Sequence, residues 1–244
     1  MGSATSRFCV LLLILPAGLP APRASGEEWF NTENLLVPPE DLIVGAERDG
    51  IPALTNPETR PIQWATENCR VNERVVGVTV GGESRAYSLG LLAHHEIIND
   101  TLGDVPIAVT YCPLVDSVTV FDRRVGGETV EFGVSGMLLN SNLIMYDRTH
   151  LGLWPQLMMQ GASGPLAGQS ARHFPHSVVD REQWAAEHPD GTIITSQFSA
   201  FGCRENFYGP YFVEHDDIFA PLQNHDTRFA NKTHMVGVLV DGIA

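Results

Sequence analysis

The side chains of this chain that could do chemistry gather in two short stretches, His94-His95-Glu96 and Tyr111-Cys112-Pro113. The run His95-Glu96-Ile97-Ile98-Asn99 begins like the zinc motif H-E-x-x-H, in which histidines four apart share a helix face and hold one metal. Asn99 stands where the second histidine is needed, and an amide is a poor zinc ligand, so the metalloprotease reading fails. A transition metal could still be held by His95 together with Cys112, Asp116 or Glu96. Cys112 is also a candidate nucleophile. A reactive thiolate needs a lowered pKa, supplied by an imidazolium, an arginine or a helix N-terminus, and His95 serves if helix and strand lie side by side. The plainer reading makes His95 and Glu96 hydrogen-bond partners of loop backbone, and Cys112 a small core hydrophobe.

Ser135 lies in Gly133-Val134-Ser135-Gly136-Met137, which approaches the G-x-S-x-G nucleophile elbow. Met137 replaces the last glycine and no helix pattern follows, so Ser135 and Ser141 equally suit turn capping or a hydrogen bond to a small-molecule ligand. Asn142 adjoins Ser141 in the same polar loop. Arg148 offers a planar fork for a carboxylate or phosphate. Asp122-Arg123 and Asp147-Arg148 also suit ion pairs that lock hairpins. His173 and His176 are separated by Pro175 and read as a surface loop. Glu214-His215-Asp216-Asp217 lacks the glycine and spaced carboxylates of a calcium loop and reads as solvated. Asn99-Asp100-Thr101 and Asn231-Lys232-Thr233 match the glycosylation sequon.

The elements that must position these residues are mostly strands. Residues 105–111 form an apolar run that ends at Cys112-Pro113, residues 117–121 a second strand, and Gly126-Gly127 a tight hairpin turn. Residues 129–134 return and run into a polar glycine loop at Ser135-Gly136, before a strand at 143–146. Residues 75–80 and 84–89 make a hairpin about Gly81-Gly82. A short helix is expected over 91–98 with an exit loop at 101–104, and another over 181–187 capped by Asp180. Residues 151–168 read as irregular, with Trp154 turned inward, and 192–196 as a strand. Residues 235–242 repeat the pattern of 75–82, an internal echo of one strand-turn unit that ends as a lone strand or marks a fragment. The expected class is β-rich α+β, built from hairpins, with a barrel-like sheet as one arrangement and a few short helices.

Composition sets the outer bounds. A chain of 244 residues with 43% hydrophobic content suits a single sizeable core over residues 63–244, preceded by an extension at 27–62. The formal charge of −14 argues against nucleic acid or an anionic membrane surface as partner. Arg7, the apolar run 8–15 and the small residues Ala24-Ser25-Gly26 have the layout of a cleaved signal segment over 1–26, so export is expected. An uncleaved anchor is the competing reading, disfavoured because the apolar run is short. After cleavage Cys69, Cys112 and Cys203 remain. Export permits a Cys69–Cys203 bridge with Cys112 free; the alternative leaves all three reduced.

The motifs His95-Glu96-Ile97-Ile98-Asn99-Asp100, Thr110-Tyr111-Cys112-Pro113-Leu114, Phe121-Asp122-Arg123, Phe132-Gly133-Val134-Ser135-Gly136 and Met145-Tyr146-Asp147-Arg148 carry a resemblance. So do Trp154, Gln156 and Gly164-Pro165-Leu166-Ala167-Gly168. Together they resemble the family of domain of unknown function 3179, over most of the chain from about Gly50 onward. The family name carries no activity, so the resemblance implies membership alone. Two departures stand out: the family has Trp where this chain has His94, and a second cysteine where this chain has Val115. If the family's function needs a C-x-x-C dithiol or metal clip, this chain lacks half of it.

Two expectations follow. In the first, an exported enzyme or redox protein uses Cys112 with His95 and Glu96, around a metal in one version, and Cys112 and His95 converge beside a cavity. In the second, these residues brace a non-catalytic binding or structural module, Cys112 is buried away from His95, and loops at 135–142 contact a ligand.

Overall fold

The computed structural model describes residues 29–69, 73–195, 208–213, 217–223 and 226–235. The signal segment, Cys203 with the Cys69 pairing expected for it, and residues 236–242 of the echo lie outside the described residues.

Alternation of β-branched and aromatic residues with smaller polar ones gives strands that pair mainly with their sequence neighbours. Ile97–Leu102, Val105–Cys112 and Ser117–Asp122 form a meander, with Leu54–Thr55 parallel at its edge. Phe132–Leu139 and Asn142–Asp147 form the centre of a second sheet, flanked by Leu42–Val44 and Leu153–Pro155. A third sheet runs in the order His176–Asp180, Arg74–Val80, Glu83–Ser88, Thr192–Ile194, Thr59–Pro61. A fourth is the two-stranded ribbon Arg124–Val125 with Glu128–Thr129, turned by Gly126 and Gly127 at φ 62° and 88°. The protein is thus β-rich with a few short helices, and its described sheets do not close into a barrel.

Several local expectations are corrected. The helix is Leu89–His95, not 91–98, and the chain is a strand again by Ile97. The break is Glu96, whose φ of 56° ends the helix, after which Ile97 and Ile98 find better packing in a sheet that buries both faces. The exit loop expected at 101–104 is shorter, because Thr101 and Leu102 still pair with Pro106 and Val105. Ser135-Gly136 is not a loop but a bulge inside the strand Phe132–Leu139. Gly136 takes φ 76° there, and a side chain on it would run into the carbonyl of Ala46. The real turn is Asn140-Ser141, both residues at positive φ in a two-residue hairpin. The helix Arg181–Glu187 forms as expected, although Asp180 makes no side-chain cap. Asn99 is fully buried, with its side-chain oxygen accepting from the Phe132 N–H, so its sequon is closed in the folded chain.

One core cluster joins Val76, Tyr87, Leu92, Ile98, Val109 and Tyr111; a second joins Ile97, Cys112, Phe121, Phe132, Met145 and Trp154. The strand Val105–Cys112 serves both, Tyr111 facing one and Cys112 the other, as its period of two requires. Among the described residues no helix is long and apolar enough to cross a membrane.

Candidate functional site

The end of the strand Val105–Cys112 meets the end of the helix Leu89–His95. The backbone N–H of Tyr111 donates to the Glu96 carbonyl at 2.8 Å, which extends the sheet pairing of Ile97 with Thr110 by one residue. Cys112 follows at once and is 1% exposed. Its thiol donates to the Ser141 carbonyl at 3.7 Å. Burial pushes the thiol up to about 12, and the nearby charge of Glu96 pushes the same way. Backbone N–H groups of Leu143, Leu114 and Val115 point at the sulfur and oppose that shift. The thiol is therefore neutral at physiological pH, held among donors that would favour its anion.

Glu96 is the unusual member. It is 8% exposed, and its carboxyl makes no hydrogen bond or ion pair with a described residue. Desolvation alone pushes it up to about 7. Its backbone sits at φ 56°, ψ −33°, a conformation costing on the order of 1–3 kcal/mol for a residue with a side chain. Strain and an unpaired buried acid at one residue are what a working site accumulates and a scaffold avoids.

The other wall comes from far along the chain. Tyr208 is pushed up to about 12 by burial and by the charges of Glu96 and Cys112, and Tyr211 is raised by burial with Cys112 also in reach. The helix Gly209–Val213 carries Tyr211, and the segment 217–223 lies against the Asn140-Ser141 turn. Ser141 fastens that segment: its hydroxyl donates to the Ala220 carbonyl at 2.7 Å, and the Ala220 N–H bonds back to it at 3.2 Å. Asn140 and Gln223 bond side chain to side chain at 3.1 Å, and the Gln223 backbone N–H donates to the Asn140 side-chain oxygen Oδ1 at 2.9 Å. No spacing in the sequence joins Tyr208 to Glu96; only the packing does.

The remaining expected site residues are placed elsewhere or otherwise engaged. His95 sits at the rim with Nδ1 bonded to the Pro52 carbonyl at 2.7 Å, and the charge acting on Cys112 is that of Glu96. Ser135 is fully buried; its hydroxyl donates to the Ile144 carbonyl and accepts from the Met137 N–H at 2.9 Å, which stabilises the bulge. Asn142 donates to Gln156 at 2.8 Å and to Ser117 at 3.1 Å, and it accepts from the Leu157 N–H at 3.2 Å. Gln156 itself is fully buried and also binds Thr110 at 3.0 Å, so the amides knit three strands together. Arg148 does fork a carboxylate, but that of Asp49, at 2.9 and 3.0 Å, with the Tyr146 hydroxyl at 2.7 Å.

Asp116, a distant metal candidate, is paired with Arg74 at 2.9 Å and accepts from the Tyr111 hydroxyl at 2.8 Å. Among the described residues no group of three or more His, Cys, Asp or Glu is arranged to hold a metal ion. A surface groove of about 430 Å³ runs between Gly82, Glu83 and the loop at His188 and Asp190, and none of the candidate residues lines it.

No match to the chain was found among curated proteins or among solved structures. A family match does exist, and it spans residues 48–244, taking in both Cys112 and Glu96 and the tyrosine wall. On that span the chain belongs to the family described as protein of unknown function, DUF3179.

Proposed function

We propose that this is an exported enzyme or redox protein whose nucleophile is the Cys112 thiol and whose proton acceptor is Glu96. The observation that carries the reading is the unpaired Glu96 carboxyl, buried on a strained backbone within electrostatic reach of a buried thiol. A carboxyl titrating near 7 is half ionised at neutral pH, where a general base works best. Glu96 takes the thiol proton as the sulfur attacks an electrophilic centre and the bond to that centre's leaving group breaks, the leaving group departing with the bonding pair, and the N–H groups of Leu114, Val115 and Leu143 support the negative charge that sulfur carries as it loses its proton. Support for export is the signal-like layout of residues 1–26, and a Cys69–Cys203 bridge would then leave Cys112 as the free thiol. A free-thiol titration of the unfolded mature chain should find Cys112 alone, and three reactive thiols would sink the bridge.

The test is the pH dependence of Cys112 alkylation by iodoacetamide in the folded protein, wild type against Glu96→Gln. As a base, Glu96 makes the wild-type rate rise through the range of its own titration, and the glutamine loses tenfold or more near neutral pH. Charge alone predicts the reverse, because removing an anion beside the thiol makes the thiolate easier to form. A faster Glu96→Gln at every pH, or no alkylation until the protein unfolds, would overturn the proposal. The second outcome would instead favour a non-catalytic binding or structural module, a reading that the internal commitments of Ser135, Ser141, Asn142 and Arg148 also fit.

A further inference from the structure

The five-stranded sheet ends on one side at His176–Asp180, a strand paired only with Arg74–Val80 among the described residues. An open strand edge is a template for a further strand, and proteins usually blunt such edges. Elsewhere this chain does so. Leu54–Thr55 and Leu42–Val44 are two and three residues long, and Thr59–Pro61 and Leu153–Pro155 end in proline. Residues 172–174 run along Ser117–Asp122, where the Phe174 N–H donates to the Val120 carbonyl at 2.8 Å. His176–Asp180 has five residues in unbroken register and carries neither proline nor lysine.

The ladder shows which groups of that edge are open. The Arg181 N–H donates to the Glu73 carbonyl at 2.9 Å, so by antiparallel alternation Val179 and Ser177 also turn their N–H and C=O groups towards Arg74–Val80. His176, Val178 and Asp180 turn theirs outward, and no described residue bonds to those backbone groups. Their side chains share one face, on which Val178 is 40% exposed. Val179, on the other face, packs against the core cluster of Trp184.

The outward row is complementary to itself. A second copy of the strand, laid antiparallel about a two-fold axis through Val178, sets His176 opposite Asp180 at both ends. A slip of two residues either way loses both charge pairs. His176 donates Nδ1–H to the Phe174 carbonyl at 3.2 Å, which leaves Nε2 to face Asp180 of the second copy. Arg74, the cross-strand neighbour of Asp180, is already forked onto Asp116 at 2.9 and 3.1 Å. Asp180 makes no side-chain cap on the helix that follows, so its carboxylate is available.

We infer that two copies of this chain join edge to edge through His176–Asp180, merging their five-stranded sheets into one. His176 with Asp180, Val178 with Val178 and Asp180 with His176 each exchange two backbone hydrogen bonds. The opposite charges at the two ends fix the register. Five residues a side is small beside the about 20–30 of a stable interface, so the dimer is weak and concentration-dependent. It does not depend on the Cys112 chemistry.

Sedimentation equilibrium of the full mature protein tests this from about 10 μM to about 500 μM, at about pH 6 where histidine is mostly protonated. The expected mass climbs from monomer towards dimer across that range. Val178→Pro removes an outward N–H and no bond to Arg74–Val80, and it should stay monomeric. His176→Asp and Asp180→Lys each set like charges opposite one another and should weaken association on the order of tenfold. The double variant sets Asp opposite Lys and should return to within about threefold of wild type. This charge-reversal set decides the matter even where the proline perturbs folding. A wild type that stays monomeric throughout overturns the inference. So does a dimer unmoved by Val178→Pro, which puts the contact elsewhere, or a double variant no stronger than either single one. Amide exchange on dilute monomer adds an independent reading: slow exchange at His176, Val178 and Asp180 would mean that the chain covers this edge itself, and would overturn the inference too.

Discussion

The Tyr111 N–H and the Glu96 carbonyl, 2.8 Å apart, fix the distance between a helix end and a strand end, and so hold the backbone of Glu96 one residue from that of Cys112 across the junction. Everything chemical in the site follows from that junction. The helix must stop one residue before the sheet resumes, and the residue that absorbs the turn is also the one with the unpaired acid.

Glu96 should therefore be costly to keep. Glycine adopts φ near 56° without penalty, and losing the carboxyl removes a buried acid, so Glu96→Gly is expected to raise stability by on the order of 1 kcal/mol or more while abolishing Cys112 reactivity near neutral pH. Urea denaturation gives the first quantity. A destabilised Glu96→Gly would show that the carboxyl serves the scaffold.

Stability should also fall as the pH rises through neutrality. Glu73 and Glu96 are each pushed up to about 7 in the folded chain, against 4.5 for an ordinary glutamate, both chiefly by burial. The folded state then holds its protons more tightly than the unfolded one. Each contribution is complete below about pH 4.5 and is lost as pH climbs through 7, amounting to on the order of 3 kcal/mol apiece. Melting curves between pH 5 and about 8.5 should show the decline, with Glu73→Gln and Glu96→Gln each flattening part of it. A rising or level profile would refute the assignment.

Gln156 bears on stability more than its exposure-blind residue type suggests. Its amide accepts from Ser117 at 2.7 Å and from Asn142, and donates to Thr110. Gln156→Leu leaves several buried polar groups without partners and should cost on the order of 2–4 kcal/mol. A loss below about 1 kcal/mol would mean that the network repairs itself with water.

Arg148→Ala should do much less. Its pair with Asp49 is partly exposed on both sides, at 35% and 30%, and such pairs contribute about 0–1 kcal/mol. The same substitution should leave Cys112 alkylation unchanged, since Arg148 lies outside the tyrosine-walled site. An alkylation rate that collapses in this variant would restore Arg148 to the ligand-binding set.

The sequence by itself determined the β-rich class, the hairpin about Gly81-Gly82, the turn at Gly126-Gly127 and the helix Arg181–Glu187, while the strand expected to pair across that second turn, 117–121, pairs with Val105–Cys112 instead. These are local properties: alternation, positive-φ turns and dense polar motifs are written within a few residues of where they act. What required tertiary structure was every long-range assignment. His95 looked like the partner of Cys112 because both residue types suit catalysis, yet its Nδ1 is held by Pro52, a loop residue 43 positions away in sequence. Ser141 looked available and is spent on Ala220, 79 positions on. Tyr208 gave no signal at all, because a tyrosine becomes part of a site only when packing places it there. Burial decided the rest, since a carboxyl or a thiol changes character with the dielectric around it, and that surrounding is assembled from residues distant in the chain.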